Sequence, residues 1–334
     1  MAARVLVSHN GLLRPSRRAL RWALAGATAM PGLARRASIV VSHTGAEGEA
    51  LVEHLRRVVG SPRGHVAMAS LAGERRAPVM QLFDDKARPL AFAKIGWDEP
   101  SSRRVRSEAA ALSRCAEANP PHLLVPTVLH QGSWQGLDLL VTTPLPRGVR
   151  RLGNRGQPPP PWATMEVANL APLKDGALEG SSYAASLDDR SRVDAGLRAL
   201  VADTVRAAAT REVRFGAWHG DWVPWNLGWT GEGRLAVWDW EHWASEAPLG
   251  FDLLLYFFNR LYARRRAPLL DAFRSACLQS RPARLALGQP AGDQGLVEAL
   301  FLLEMVIRDL DRGRVVAPEL PSVTREVRRC LAGR

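Results

Sequence analysis

The segment from His219 to Glu241, HGDWVPWNLGWTGEGRLAVWDWE, constrains this chain more than any other stretch of its sequence. It contains Asp221, then Asn226 five residues later, and then Asp239 at the end of the apolar run LAVW. In phosphoryl transfer, one carboxylate orients the attacking hydroxyl, while an Asn and a second Asp hold Mg²⁺ on the nucleotide phosphates. The order of these three side chains therefore indicates phosphoryl-transfer chemistry.

The same segment resembles the aminoglycoside phosphotransferase family, whose members share the protein-kinase fold and phosphorylate small molecules. The family pattern is HGD, a short loop and Asn, then a hydrophobic strand ending in I-D-W-E, and then an Asp at the head of a helix. This chain has HGDWVPWN, LAVWDWE and PLGFDLLLYFF, the last of which contains Asp252. The Asp-x-x-x-x-Asn spacing also equals that of the protein-kinase catalytic loop. The resemblance is close over residues 216–258 and looser over 64–148.

The resemblance implies an α+β fold of the two-lobed protein-kinase-like type, with a small antiparallel-sheet N-lobe and a mostly helical C-lobe. We assign residues 1–60 to a poorly patterned basic N-terminal extension with one helix around Glu47–Val59. Residues 61–148 are predicted to form the nucleotide-binding N-lobe. Residues 149–334 are predicted to form the helical C-lobe, with the catalytic loop and the substrate site.

Apolar periodicity predicts the elements of the N-lobe. VAMASL, APVMQLF and PLAFAKIGW are typical of strands, as are HLLVPTVLHQG and GLDLLVTTPLP. SSRRVRSEAAALSRCAEA predicts a helix between these two groups, capped by Ser101 or Ser102. In the C-lobe, four prolines at 158–161 predict a linker or surface loop. Helices are predicted over 188–210, with Val193 on the apolar face, and over 251–263, 294–312 and 322–332.

The candidate catalytic and metal residues follow from the motif. Asp221 is predicted to accept or orient the substrate hydroxyl; the alternative is a loop carboxylate that bonds its own backbone. Asn226 and Asp239 are the predicted metal ligands. Mg²⁺ prefers hard oxygen ligands and keeps several waters, so one amide and one carboxylate suffice.

Lys94 is one of only three lysines among the 45 Lys and Arg residues, and it ends the strand PLAFAK. It matches the kinase V-A-I-K strand, whose lysine pairs with the nucleotide phosphates. Arginine does not replace a compact ammonium charge there, since its guanidinium is a planar fork. Glu108, on the following helix, is the predicted partner that orients Lys94. The alternative is a solvated lysine at a strand end.

The remaining motif residues have supporting or open roles. The resemblance implies that His219 supports the loop backbone and that Asp252, at a helix start, braces the loop. Glu241 is a candidate for a second metal or for a bond to the loop backbone. Seven of the eleven tryptophans lie within 218–243. Most are expected to pack the core, and Trp222 and Trp225 are the candidates for substrate contact.

Composition excludes several classes of protein. The net charge is +12, but the arginines are scattered with no long basic run, so a nucleic-acid surface is not expected. The three cysteines form no C-x-x-C pair, which argues against a disulfide framework or a zinc site and favours a reducing, cytoplasmic location. No run of about 20 apolar residues predicts an integral membrane segment. The oligomeric state cannot be deduced from the sequence.

The sequence therefore predicts an ATP- and Mg²⁺-dependent phosphotransferase that acts on a hydroxyl of a small molecule: a sugar, an amino alcohol or an aminoglycoside-like compound. An aminoglycoside would need acidic ligands, for which Glu246, Glu298, Glu304, Asp309 and Asp311 are the candidates. The alternative is a catalytically silent kinase-fold module, because the phosphate loop LAGERRAP has only Gly73 and no G-x-G-x-x-G. A protein kinase is a weaker alternative, since neither H-R-D-L nor D-F-G occurs in the sequence.

Overall fold

The computed structural model describes residues 49–68, 77–153, 156–265 and 267–333. The predicted phosphate loop around Gly73, the end of the predicted strand VAMASL and most of the N-terminal extension lie outside these ranges. Two compact units are present. The first contains the described residues up to Leu152 together with Leu227–His242, and the second contains those of Gly153–Asn226 and Trp243–Arg334. The lobe boundaries proposed from the sequence stay predictions.

The described residues contain the following strands and helices. The strands are β1 (His65–Met68), β2 (Val79–Phe83), β3 (Pro89–Gly96), β4 (Leu123–Leu124), β5 (Val128–Trp134), β6 (Leu137–Thr142), β7 (Arg150–Arg151), β8 (Lys174–Ala177), β9 (Glu212–Trp218), β10 (Leu227–Trp229), β11 (Leu235–Val237) and β12 (Ala244–Pro248). The α-helices are α1 (Leu51–Val58), α2 (Glu99–Ala118), α3 (Pro161–Ala168), α4 (Ser182–Ser191), α5 (Ala195–Ala207), α6 (Phe251–Arg265), α7 (Leu269–Ala286), α8 (Gln294–Asp311) and α9 (Leu320–Leu331). None of these helices is both long and apolar enough to cross a membrane.

The main layer of the first unit is an antiparallel sheet with the strand order β1-β2-β3-β6-β5. Side chains alternate between the two faces of a strand. Ala91, Ala93 and Ile95 of β3 accordingly share one buried face, which packs with Leu55 of α1 in an apolar cluster. Lys94, between them, lies on the opposite face of β3. The helix near residue 50 and the other strand predictions are thus confirmed within the described ranges, but HLLVPTVLHQG forms two strands, β4 and β5, which belong to different sheets.

The helix predicted after β3 is confirmed, but its cap is not a serine. Asp98 is the N-cap residue of α2, and its carboxylate accepts a hydrogen bond of 2.8 Å from the Ser101 backbone N–H. The Ser101 hydroxyl accepts in return from the Asp98 backbone N–H at 3.1 Å. This capping box places Ser101 one turn inside the helix. The prediction of a cap at Ser101 or Ser102 was therefore wrong by three or four residues.

A second, smaller sheet of the first unit carries the end of the motif segment. Its strand order is β4-β11-β10-β7, with β10 and β11 antiparallel and β11 parallel to β4. The three residues of β11 are fully buried, as expected for the run LAV. The chain leaves β11 directly into Trp238 and Asp239, so this sheet fixes where the Asp239 backbone lies.

The second unit combines a three-stranded antiparallel sheet, in the order β12-β9-β8, with helices α3 to α9. The chain enters the 219–226 loop from the buried end of β9. It leaves β12 for α6, whose residues Phe251 to Phe258 are all buried. An α+β fold with one sheet-rich unit and one mostly helical unit is confirmed.

Two predictions for this unit were wrong in part, and one helix was missed. The helix expected over 188–210 is two helices, because Asp194 caps a new helix with a bond of 2.8 Å to the Leu197 N–H; Val193, between them, is 75% exposed. Pro161 begins α3, since proline is tolerated in a first helical turn. Helix α7 was not predicted at all. Its sequence contains many polar residues and Pro282, which interrupt the helical pattern. The apolar stripe that the helix buries, with Phe273 and Cys277, was therefore not recognised in the sequence.

Candidate active site

An ion-paired group of three side chains, here called the Lys94 cluster, lies in the first unit. The Nζ atom of Lys94 donates to Oε2 of Glu108 at 2.5 Å and to Oδ1 of Asp239 at 2.7 Å. Lys94 comes from β3, Glu108 from α2 and Asp239 from the turn after β11. The structure therefore brings together residues that are 14 and 145 positions apart. The predicted pairing of Lys94 with Glu108 is present.

Burial and charge act in opposite directions within this cluster. Burial disfavours the ammonium, but the carboxylates of Asp239, Glu108 and Glu241 outweigh burial and raise the pKa of Lys94 above its ordinary value. Burial raises the pKa of Glu108, with Asp239 and Glu241 acting in the same direction against Lys94. Lys94 is therefore fully charged at neutral pH. One cation faces more than one carboxylate, so the cluster carries an excess of negative potential.

Asp239 adopts a backbone conformation that few residues tolerate. Its φ is +70°, in the left-handed region, where Asp and Asn are enriched among non-glycine residues. The next residue, Trp240, is fully buried, and its indole N–H donates to the Val237 carbonyl at 3.3 Å. This anchor fixes the turn. The side chain of Asp239 stays 37% exposed, whereas that of Glu241 is 14% exposed and lies 3.6 Å from His242.

The second unit holds the 219–226 loop, in which His219 is a backbone support. Its ring is fully buried, and Nδ1 accepts a hydrogen bond of 3.1 Å from the backbone N–H of Asp221. The ring also meets Trp222 edge to face, with 5.8 Å between centroids. An imidazole placed in this way fixes the direction of the peptide before Asp221.

Asp252 holds the same loop from the first turn of α6. Its two carboxylate oxygens accept from the backbone N–H groups of His219 at 2.8 Å and of Gly220 at 3.1 Å. Burial raises the pKa of Asp252 to about 7, although both of these hydrogen bonds and Arg308 lower it. Gly220 has a φ of +76°, which requires a residue without Cβ strain. The loop is thus held through its backbone.

Asn226 and Asp221 face each other across the loop. The amide nitrogen of Asn226 donates to Oδ2 of Asp221 at 2.7 Å and to the Asp221 carbonyl at 3.1 Å. These bonds orient the Asp221 carboxylate and leave the amide oxygen of Asn226 unused by them. Asn226 is buried and Asp221 is half-buried. One oxygen of the Asp221 carboxylate is thus held by the Asn226 amide.

Each of the two predicted metal ligands has a donor atom of a kind that suits magnesium. In the second unit Asn226 has an amide oxygen, and in the first unit Asp239 has a partly exposed carboxylate. Both are hard oxygen ligands of the kind that Mg²⁺ prefers. Among the described residues, no group of three or more His, Cys, Asp and Glu side chains is arranged to hold a metal ion.

The two loop tryptophans differ in burial. Trp222 has no exposed surface, and its indole N–H has no hydrogen-bond partner among the described residues. Trp225 is half-buried. Complete burial favours packing for Trp222, whereas Trp225 keeps ring surface that a ligand can reach.

Arg308 of α8 contacts the loop and was not anticipated from the sequence. Its Nη1 donates to the Gly220 carbonyl at 2.5 Å, and its guanidinium lies 4.6 Å from the ring centroid of Trp218. Its Nε donates to Oε1 of Glu304 at 2.8 Å. The spacing Glu304–Arg308 is a typical i,i+4 helix pair. This spacing was the only signal in the sequence, and in an arginine-rich chain it does not reveal contact with a loop 88 residues away.

No family model matches the sequence, and no curated protein matches it significantly. Solved structures do match. A thermostable mutant of an aminoglycoside phosphotransferase is 15% identical, with a TM-score of 0.53 over 84% of this chain and 98% of the other. Choline kinase LicA from Streptococcus pneumoniae is 12% identical, with a TM-score of 0.51 over 85% and 97%. Plasmodium vivax ethanolamine kinase is 10% identical, with a TM-score of 0.50 over 90% and 93%.

At such low identities these likenesses establish the fold. They agree with the sheet and helix arrangement described above. The chain has the protein-kinase-like α+β fold of the small-molecule phosphotransferases.

Proposed function

We propose that this chain is an ATP- and Mg²⁺-dependent phosphotransferase that moves the γ-phosphate to a hydroxyl group of a small molecule. The observation that carries the proposal is the Lys94 cluster, in which one ammonium is held by two carboxylates from separate elements. The fold likeness supports it. An aminoglycoside phosphotransferase of this fold was solved with ADP and hygromycin B, and LicA was solved with AMP.

On the nucleotide side, Lys94 is the residue that binds the phosphates, and Glu108 is the residue that orients it. An ammonium is suited to this role because it is a compact donor that several phosphate oxygens can share. Asn226 and Asp239 would hold Mg²⁺, which when bound neutralises charge on the phosphate oxygens. Glu241, 14% exposed at its side chain, is a candidate for a second metal or for a bond to the loop backbone.

On the acceptor side, Asp221 is the catalytic residue. Asn226 fixes the orientation of this carboxylate, which accepts a hydrogen bond from the acceptor hydroxyl and so directs the lone pair of the hydroxyl oxygen. The hydroxyl oxygen then forms a bond to the γ-phosphorus while the bond from that phosphorus to the β–γ bridging oxygen breaks, and ADP leaves. The hydroxyl proton passes to Asp221. His219 and Asp252 hold the loop and take no part in proton transfer.

The charges of the second unit favour an acceptor with few positive charges. Four of the carboxylates considered as ligands for a polycation are bonded to cations of the protein. Glu246 pairs with Lys174 at 2.5 Å, Glu304 with Arg308 at 2.8 Å and Asp309 with Arg314 at 3.1 Å. Glu298 pairs with Arg284. We therefore place sugars and amino alcohols ahead of aminoglycosides as acceptors.

Calorimetric titration with ATP and Mg²⁺ tests the nucleotide half of the proposal. Wild type is expected to show saturable, magnesium-dependent binding. In Asp239→Asn the new residue also tolerates a positive φ, but it carries no charge. Binding of ATP to this variant should therefore no longer depend on magnesium. Absence of binding to wild type would reject the nucleotide site.

Turnover tests the acceptor half. ADP release from MgATP is measured with glucose, choline and hygromycin B, for wild type and for Asp221→Asn. Acceptor-dependent release that the variant loses supports the assignment of Asp221. Equal release by both proteins with every acceptor would refute that assignment. Binding of MgATP without any turnover would favour the silent nucleotide-binding module.

A further inference from the structure

We propose that Arg308 is a positioning residue for Asp221, because it fixes the peptide plane that directly precedes the carboxylate. The inference rests on the proposed function, in which Asp221 orients the acceptor hydroxyl. Arg308 lies on α8, outside the motif segment, and touches none of the proposed reacting groups. Its action is on the backbone of the 219–226 loop.

The peptide plane between Gly220 and Asp221 is bonded at both ends. Its N–H, on Asp221, donates to Nδ1 of His219 at 3.1 Å. Its carbonyl, on Gly220, accepts from Nη1 of Arg308 at 2.5 Å. Rotation of this plane would swing the Asp221 side chain, and Gly220 has the backbone freedom that such a rotation needs. The two preceding N–H groups are held by Asp252, so Arg308 supplies the bond that the carbonyl of this plane requires.

The direction of the Arg308 guanidinium is itself set by two neighbours. Nε donates to Oε1 of Glu304, which is 1% exposed, and the guanidinium lies over the ring of Trp218 at the end of β9. A guanidinium presents its donors in a rigid fork. With Nε on Glu304, the donor on Nη1 is therefore directed to the Gly220 carbonyl. The hydrogen bonds from Arg308 to Glu304 and to Gly220 thus hold the guanidinium in one orientation.

Arg190 of α4 is a matched control within the same buried group. It donates to both oxygens of Glu304, with 3.0 Å from Nη1 to Oε1, but its described contacts do not reach the 219–226 loop. Arg190→Met and Arg308→Met each leave Glu304 with one arginine. Both variants should therefore lose thermal stability through the weakened pairing of Glu304. Only the second removes a bond to the loop.

Hydrogen exchange of the full chain without ligand tests the bracing directly. In Arg308→Met, the backbone amides of residues 219–221 should exchange about tenfold faster or more than in wild type, since local opening becomes easier. In Arg190→Met they should exchange as in wild type. Equal exchange of this segment in the two variants would overturn the inference, whatever their activities.

Kinetics with MgATP and the glucose, choline and hygromycin B panel tests the consequence for chemistry. Arg308→Met should lower kcat by about tenfold to a hundredfold, because a displacement of about 1 Å at a reacting group has costs of this size. The KM for ATP should stay within about twofold, and Arg190→Met should keep kcat within about threefold. Arg308→Lys keeps one donor cation and should recover part of kcat.

The results separate this inference from the proposed function. Loss of kcat in Arg308→Met alone, with partial recovery in Arg308→Lys, supports a positioning role. Equal kcat in the two methionine variants overturns it. The exchange pattern can be as expected while wild type shows no turnover that depends on Asp221. In that case Arg308 does stabilise the loop backbone, but the proposed function is wrong, and so is the positioning role of Arg308 in catalysis.

Discussion

The Lys94 cluster of the first unit and the 219–226 loop of the second are held by different kinds of interaction. The Lys94 cluster depends on side-chain ion pairs of 2.5 and 2.7 Å between residues from three elements. The loop depends on bonds to its backbone, from His219, Asp252 and Arg308. One region is positioned by charge and the other by the peptide chain itself.

The difference shows which region depends on a ligand. In the Lys94 cluster, one ammonium faces the carboxylates of Glu108 and Asp239, and Glu241 also acts on it. A bound cation would reduce the repulsion between these carboxylates and so stabilise the site. Beneath the loop, Glu304 is matched by two arginines, and its charge is satisfied within the protein. We therefore expect nucleotide and metal to order the first region, while the second is already in its working arrangement.

The largest expected effect comes from Asp221→Asn. Loss of a positioned acid–base group lowers kcat by about 10²- to 10⁴-fold. Asparagine keeps the shape of the side chain, and the loop is bonded through backbone atoms, so the melting temperature and the affinity for MgATP should not change. Steady-state kinetics, calorimetry and thermal unfolding on the same samples check this. A parallel loss of MgATP affinity would show that the contact between Asp221 and Asn226 also orients the proposed metal ligand.

Glu304→Gln tests whether the loop rests on charge that is satisfied internally. Burial opposes ionisation of Glu304, but Arg190 and Arg308 hold its pKa at about 2, below the ordinary 4.5. The depressed pKa stabilises the folded chain above pH 4.5, and that contribution is lost as the pH falls from 4.5 towards 2. A shift of this size corresponds to roughly 3 kcal/mol of unfolding free energy.

Urea unfolding of wild type and Glu304→Gln between pH 7 and pH 3 measures this contribution. The difference in unfolding free energy should be largest at pH 7 and should shrink below pH 5. Glu326→Gln, on α9, is a suitable comparison because Glu326 is also paired with two arginines but its described contacts lie away from the loop. A difference for Glu304→Gln that does not vary with pH would mean that packing, and not charge, supports the loop.

The sequence predicted the pair of Lys94 with Glu108, and His219 and Asp252 as supports of the loop, but neither the contact of Lys94 with Asp239 nor the role of Arg308. Lys94 was conspicuous because lysine is rare in this chain, and Glu108 and Asp239 follow recognisable strand and helix patterns. Arg308 was not predictable in the same way. Its partner carbonyl belongs to a glycine, and a backbone atom leaves no trace in the identity of a residue.

The fold shows the same limit. Strands with regular apolar alternation and helices with a clear stripe were predicted, whereas α7 was missed because Pro282 and several polar residues interrupt its pattern. The break between α4 and α5 was missed because Asp194 acts as a cap through a side-chain bond to the Leu197 N–H. A local hydrogen bond decided the structure there, against an apolar periodicity that continued through Val193.

Lys94→Met changes the Lys94 cluster and leaves the 219–226 loop intact, so it tests the comparison from the nucleotide region. Charge-assisted hydrogen bonds contribute about 1.5–3 kcal/mol, so the affinity for MgATP should fall by about tenfold to a hundredfold. Lys94→Arg should restore little of it, because the guanidinium fork does not fit a site built around one ammonium donor. Hydrogen exchange in the 219–226 loop should be unchanged in both variants. An unchanged affinity of Lys94→Met for MgATP would show that the Lys94 cluster is not part of the nucleotide site.

The smallest effect concerns the loop tryptophans. Trp225→Ala should raise the acceptor KM by about fivefold, since an aromatic contact contributes about 0.5–1.5 kcal/mol. Trp222→Phe should leave that KM unchanged and alter the unfolding free energy by only about 1 kcal/mol, because the smaller ring loses packing but also removes a buried indole N–H that has no partner among the described residues. Acceptor titrations at saturating MgATP distinguish the two. A larger change in KM for Trp222→Phe than for Trp225→Ala would mean that the ring packed on His219, and not the half-buried one, controls the acceptor site.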